Sequence, residues 1–172
     1  MRFFTFLGDG GLIWITIGLI FILSGSKVGR KFLKSRFNIN TNKFLMYGIL
    51  LLISLSISFL LCDVILKNIF QRPRPFTEYE FDLIINPPNG YSMPSGHSAT
   101  SFASAFIVYK ADKRFGIIAI LIAVMIAISR VYLTVHYPTD VIVGAVIGCL
   151  CSYVIYLTAE KLFNKNFLKY KN

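Results

Sequence analysis

The chain has two histidines, His97 and His136, and each lies in a stretch suited to handling an anion. His97 belongs to Tyr91-Ser92-Met93-Pro94-Ser95-Gly96-His97-Ser98, at the mouth of an apolar run that ends near Tyr109. Pro94 suits the first turn of a helix, where backbone amides have no partner inside the helix. Those free donors, with the positive end of the helix dipole, attract a phosphate-like group. Ser95 offers a hydroxyl and Gly96 an unobstructed backbone N–H, while the ring of His97 is of a type that titrates near neutrality. An ordinary helix start with a histidine at a membrane interface has the same residues. His136 lies four residues before Asp140, and Pro138 suits the first turn of the next helix, which puts the carboxylate one short turn from the ring. A carboxylate on one imidazole nitrogen sets the tautomer and leaves the other nitrogen free to attack. The alternative for this pair is a helix cap beside an interfacial ring.

The elements that carry these residues are apolar. Hydrophobic residues make up 55% of the 172-residue chain and charged residues 15%, too apolar for a soluble domain of this size. The net charge of +10 does not point to nucleic acid, because Lys and Arg cluster in the gaps between apolar runs instead of covering a soluble face. Five runs are expected to form helices: about 7–23, 44–62, the stretch after His97 to about 109, 115–133 and about 140–159. The second holds 19 residues without a charge, enough to span the hydrocarbon core. The first follows a weakly basic start and is followed by a basic cluster, the reverse of a cleaved signal peptide, and is read as a retained helix. Residues 1–6 are expected along the interface, and Trp14 to face lipid or pack. The serines 54, 56 and 58 read as helix-packing residues, and Cys62, Cys149 and Cys151 as buried free thiols. Pro73 and Pro75 should end the second helix. Residues 76–93 form a polar loop whose acidic residues are solvated or rim a pocket. No repeat or linker divides the chain, so a single domain over 1–172 is expected.

Five spans put the termini on opposite faces. Thirteen of the 18 Lys and Arg, in segments 27–43, 110–114 and 161–171, then fall on one face, which the positive-inside rule makes cytoplasmic. Arg2, Lys67, Arg72, Arg74 and Arg130 fall on the other. Segments 67–75, 94–97 and 129–140 therefore emerge together outside, and ionisable groups at helix ends in a membrane are costly unless paired or functional. Lys67 supplies a point charge, and Arg74 and Arg130 supply planar forks that match phosphate oxygens.

Lys67 with six residues before Arg74-Pro75, then Pro94-Ser95-Gly96-His97, then Ser129-Arg130 with five residues before His136 and three more before Asp140, resembles the type 2 phosphatidic acid phosphatase (PAP2) superfamily. That family includes membrane lipid phosphatases and, more distantly, vanadium haloperoxidases. The motifs span residues 67–140 in order, with no substitution at a motif position. Many membrane members have six helices where five runs are found here. The resemblance implies an all-α integral membrane bundle of about five transmembrane helices, with its active site at the outer membrane–water interface. It implies phosphoryl transfer without a metal or other cofactor. His136 would attack phosphorus, Asp140 would orient its ring and His97 would protonate the leaving oxygen, with Lys67, Arg74, Ser95, Gly96 and Arg130 holding the phosphate. Arg72 matches no motif position, leaving a headgroup contact and a plain interfacial placement both open.

The implied substrate is a lipid phosphate or diphosphate in the bilayer, of the lipid A 1-phosphate, undecaprenyl diphosphate or phosphatidylglycerophosphate type. A lipid phosphotransferase and a non-catalytic phospholipid-binding or transport protein are the alternatives. The abundance of Ile, Lys, Asn and Phe points to a bacterial chain, hence to the inner membrane with the site on its periplasmic face.

Overall fold

Inside a bilayer every backbone N–H and C=O must find its partner within the protein, and a continuous helix achieves this locally. The computed structural model, which describes Gly8 and residues 11–26, 41–79 and 85–163, is helical throughout its regular structure and holds no strand among those residues. In chain order the helices are α1 (Leu12–Gly25), α2 (Thr41–Phe59), α3 (Lys67–Phe70), α4 (Pro75–Glu78), α5 (Gly96–Ala111), α6 (Lys113–Tyr132) and α7 (Pro138–Leu162). A π-helical segment, Leu60–Leu66, joins α2 to α3 without a break. Where described, the five expected apolar runs are thus helical. Three stretches, Lys43–Glu78, Lys113–Tyr132 and Pro138–Leu162, are long and apolar enough to cross a membrane. α1, with 14 residues, is apolar but shorter. The expected interfacial placement of 1–6, the basic cluster at 27–36, part of the 76–93 loop and most of the basic tail lie outside the described residues.

The helix that bears His97 is the centre of the bundle. α5 packs against α2, α6 and α7, and its buried positions are mostly small: Gly96, Ser98, Ala99, Thr100, Ser101, Ala103, Ser104 and Ala105. Lipid tails are as apolar as leucine, so membrane helices associate through close packing, which small residues permit. α7 answers with Gly144 and Gly148, where an added Cβ would collide with the carbonyl oxygens of Ser95 and Ala99. A Cβ on Gly48 of α2 would likewise strike the carbonyl oxygen of Gly18 in α1. Trp14 is fully buried and donates from Nε1 to Ser101 Oγ at 3.0 Å, so it packs α1 onto α5 and does not face lipid. Ser54 and Ser58 are buried, as packing serines should be, whereas Ser56 is exposed. The large exposed side chains, such as Leu121, Ile142, Leu150 and Val154, form an outer surface that suits lipid.

Helix ends follow local chemistry. Asp112 caps α6, its carboxylate accepting from the amides of Arg114 (2.9 Å) and Phe115 (3.2 Å). The second helix does end before Pro73, with Gln71 taking a left-handed conformation (φ 45°) at the stop. The π segment has no sequence signature. Each wider turn shifts the downstream residues by about one position, roughly 100° around the axis, and this sets the face on which Lys67 emerges. Because α5 and α7 meet through bare glycine, Gly148→Leu should destabilise the bundle by about 1–3 kcal/mol. Thermal unfolding in detergent should show a lowered midpoint, while Val146→Ala on the outward face of α7 should leave it unchanged.

Candidate active site

Three chain segments meet around His136. The first is the stretch after α3, where Arg72 and Arg74 each precede a proline that keeps them extended. The second is the loop before α5, which brings Ser92. The third is the turn between α6 and α7, which carries His136 itself. Backbone bonds tie them together: Ser92 N donates to Arg72 O (2.8 Å) and Ser95 N donates to Asp140 O (3.0 Å).

Asp140 holds two positions at once. As the third residue of α7 it accepts from the amide of Tyr137 through Oδ2 (2.9 Å), capping the helix. The same oxygen accepts from Ser92 Oγ at 2.5 Å and faces His136 Nδ1 at 3.6 Å. That last distance is longer than a hydrogen bond, and Ser92 Oγ lies 3.4 Å from Nδ1. Since the Ser92 proton goes to Asp140, its lone pairs are left to accept from Nδ1–H. Cap and ring partner are therefore one residue, and Ser92 bridges it to the imidazole. Sequence reading missed Ser92; its burial two residues ahead of Pro94 has no motif to announce it.

The other face of the ring meets Arg74, whose Nη1 lies 3.4 Å from His136 Nε2. A guanidinium can only donate, so Nε2 carries the lone pair and the proton sits on Nδ1. Arg74 is itself fixed, donating from Nε to Gly90 O (2.9 Å), from Nη1 to Val135 O (2.9 Å) and from Nη2 to Asn89 O (3.2 Å). Three of its five N–H groups are thus occupied by carbonyls and one on Nη1 faces Nε2, leaving one on Nη2 for an anion. Arg130, on the last turn of α6, and Lys67 act on the same imidazole electrostatically. Lys67 forms an ion pair with Asp63 of the π segment.

At the start of α5 the helix begins at Gly96, not at Pro94. Pro94 is buried ahead of it after a cis peptide, and Ser95 is the cap, its Oγ accepting from the amide of Ser98 (3.4 Å). The expected place of Pro94 in the first turn is therefore corrected: the hydroxyl of Ser95, not a proline ring, sets the helix start. Ser98 Oγ also donates to Ser95 Oγ (3.1 Å), so the serine proton is left to donate. Gly96 is buried against Asp63, and a Cβ there would strike the carboxylate. His97 is half-buried and lines a cavity of about 460 Å³ with Asp63, Gly96, Leu55, Phe59 and Leu60. The structure thus gathers Arg74, Arg130, Lys67 and Asp140 around His136, and joins Ser95, Gly96 and His97 to them through the Ser95–Asp140 bond. Arg72, left open by the sequence, donates to Asp140 Oδ1 at 2.8 Å.

A match to the PAP2 superfamily covers residues 46–164. The chain belongs to this family. An undecaprenyl-diphosphatase of Sulfolobus acidocaldarius is 36% identical over 62% of this chain and 52% of its own length. A lipid A 1-phosphatase of Rhizobium etli is 29% identical over 91% of this chain and 71% of its own. Among solved structures, a transmembrane PAP2-type phosphatidylglycerolphosphate phosphatase of Bacillus subtilis superposes with a TM-score of 0.55 at 25% identity, covering 93% of this chain and 94% of that one. LpxE of Aquifex aeolicus gives 0.56 at 28% identity, covering 91% and 93%. The chain spans about half the length of several of the curated relatives it matches.

Burial pushes the His136 pKa down to about 3; the nearby Asp140 carboxylate opposes this, and the charges of Arg74, Arg130 and Lys67 add to it. The ring is neutral throughout the physiological range. Below about 6.5 the unfolded chain binds a proton here that the folded protein refuses, so stability should fall as pH drops from 7 towards 4. 15N spectra of the labelled protein should show His136 neutral and protonated on Nδ1 from pH 5 to 8. His136→Gln should flatten the acid loss of thermal stability.

Proposed function

We propose that this PAP2 protein is a membrane lipid phosphatase that forms a phosphohistidine on His136. The observation that carries the reading is the contact between the His136 Nε2 lone pair and the fork of Arg74 (3.4 Å), with two more cations acting on the ring. A neutral nucleophile held against a cluster of cations is an arrangement that binds a phosphate and attacks it in the same place. Binding alone needs no nucleophile with its tautomer set from behind.

The reaction runs in two displacements. Nε2 attacks phosphorus as the bond to the lipid oxygen breaks, and protonated His97 gives its proton to that oxygen. Arg74, Arg130, Lys67, the Ser95 hydroxyl and the Gly96 N–H receive the charge that builds on the equatorial oxygens. Asp140, through Ser92, stabilises the imidazole as its Nε2 lone pair is committed to phosphorus. Water then attacks the phosphohistidine, His97 takes its proton, and release of inorganic phosphate restores neutral His136. No residue in this scheme calls for a metal or other cofactor.

In-line displacement puts the leaving oxygen on the side of His97, whose cavity is walled by Leu55, Phe59 and Leu60. The first carbons of a lipid chain fit there while the rest stays in the bilayer. The substrate is a lipid phosphate or diphosphate, of the kind that relatives named for undecaprenyl diphosphate, lipid A and phosphatidylglycerophosphate act on. The distribution of basic segments supports an orientation with this end of the bundle on the outer side of a bacterial inner membrane.

Purified protein with EDTA should release phosphate from one or more of these three lipids, and millimolar vanadate should inhibit by taking the trigonal-bipyramidal geometry. Arg74→Ala should lower kcat about 10²- to 10³-fold and His136→Ala should reduce turnover to background. Full turnover by His136→Ala would remove the proposed nucleophile. Label appearing on an added lipid or sugar acceptor, and not as free phosphate, would make the enzyme a phosphotransferase.

A further inference from the structure

The guanidinium of Arg72 matches no motif position, yet it is built into the site more firmly than an interfacial arginine. Its Nη1 donates to Asp140 Oδ1 at 2.8 Å and to Thr139 Oγ1 at 2.7 Å. Its Cζ lies 3.8 Å from the centre of the Tyr137 ring, and the Tyr137 hydroxyl donates to Glu78. That hydrogen bond holds the phenol proton, pushing the Tyr137 pKa up to about 12. Arg72 is one-third exposed, whereas the carboxylate it meets is fully buried.

Asp140 is a carboxylate with no exposed surface whose two oxygens are used differently. Oδ2 takes Ser92, the Tyr137 amide and the face of His136, and Oδ1 takes Arg72. An anion in such a place depends on a compensating charge and on filled lone pairs. Rotation about the last side-chain bond would turn Oδ2 away from Ser92 and the ring, and the bond from Arg72 to Oδ1 opposes this. The Arg72-Pro73-Arg74-Pro75 stretch explains how one strand of chain serves both ends of the imidazole. Each arginine is held extended by the proline after it, and residues two apart in extended backbone face the same side. Arg74 therefore reaches Val135 and His136, while Arg72 reaches Thr139 and Asp140.

We infer that Arg72 is a positioning residue, which locks the Asp140 carboxylate so that the His136 proton stays on Nδ1 and Nε2 stays free. It acts through Asp140 and touches neither phosphate nor headgroup. This rests on the phosphatase reading only for its kinetic consequence.

The test uses full-length wild type, Arg72→Gln and Arg72→Lys in detergent, assayed with a short-chain phosphatidate and with farnesyl diphosphate, and compared by 15N spectra of labelled histidine. Arg72→Gln should lower kcat about 10- to 100-fold, the usual cost of losing a group that orients a reactive residue, with KM changed less than about 3-fold. Arg72→Lys, which keeps a cation near Oδ1, should recover part of kcat. In the spectra, Arg72→Gln should move His136 towards the Nε2–H tautomer. A rise in KM at constant kcat would mean a headgroup contact and overturn the inference, as would an unchanged tautomer. Wild type inactive on both lipids, with the tautomer shift present, would count against the phosphatase reading for these substrates and leave the role of Arg72 standing. Should Arg72→Gln lower the thermal midpoint sharply, Arg72→Lys carries the comparison, and a Lys variant with wild-type fold but no wild-type tautomer overturns the inference in its simple charge form.

Discussion

A carboxylate with no exposed surface, that of Asp140, sits where the start of α7, the loop of Ser92 and the Arg72-Pro73 stretch come together. Burying an anion is costly unless opposite charge and hydrogen bonds replace the lost water, and here all three segments contribute. Ser92 and the Tyr137 amide meet one oxygen, Arg72 meets the other, and the backbone carbonyl of Asp140 receives the amide of Ser95. These bonds fasten the helix that bears His97 to the turn that bears His136. The arrangement of the site is thus coupled to the satisfaction of one charge.

Close packing supplies the complementary constraint. Ser95 can reach Asp140 because α5 and α7 approach at Gly144 and Gly148, where a side chain would push the Ser95 and Ala99 carbonyls away. The small residues of α5 allow α2, α6 and α7 all to approach one helix. The centre of the bundle is therefore serine- and alanine-rich, and the bulky residues lie outward. This inversion of the water-soluble pattern follows from a solvent that is itself hydrocarbon.

The cations show the electrostatic side. Arg74, Arg130 and Lys67 surround an imidazole that burial has already made hard to protonate, and their charges reinforce that neutrality. Asp63 offsets one of them by pairing with Lys67, and the same carboxylate lies against the Cα of Gly96. The requirement for glycine at that position is thus set by a neighbouring carboxylate as well as by the helix start. The three arginines have divided tasks: Arg74 is aimed by three carbonyls at Nε2, Arg72 is aimed at the carboxylate behind the ring, and Arg130 acts on the ring from α6.

Much was legible in the chain itself. Apolar runs mark helices because hydropathy and length are local properties, and Pro73, Pro75 and Pro138 mark ends and starts because proline acts on its own backbone. The spacing of Lys67, Arg74, His97, Arg130, His136 and Asp140 sufficed for the family. The π segment, the bridge from Ser92 and the hold of Arg72 on Asp140 could not be read there. Arg72 and Asp140 are 68 residues apart and Ser92 and Asp140 are 48 apart, so neither contact leaves a periodic trace. By itself the sequence determined which residue types could do the chemistry and which segments are apolar and helical. The tertiary structure alone decided how the imidazole is oriented, because that depends on where three segments meet around one buried charge.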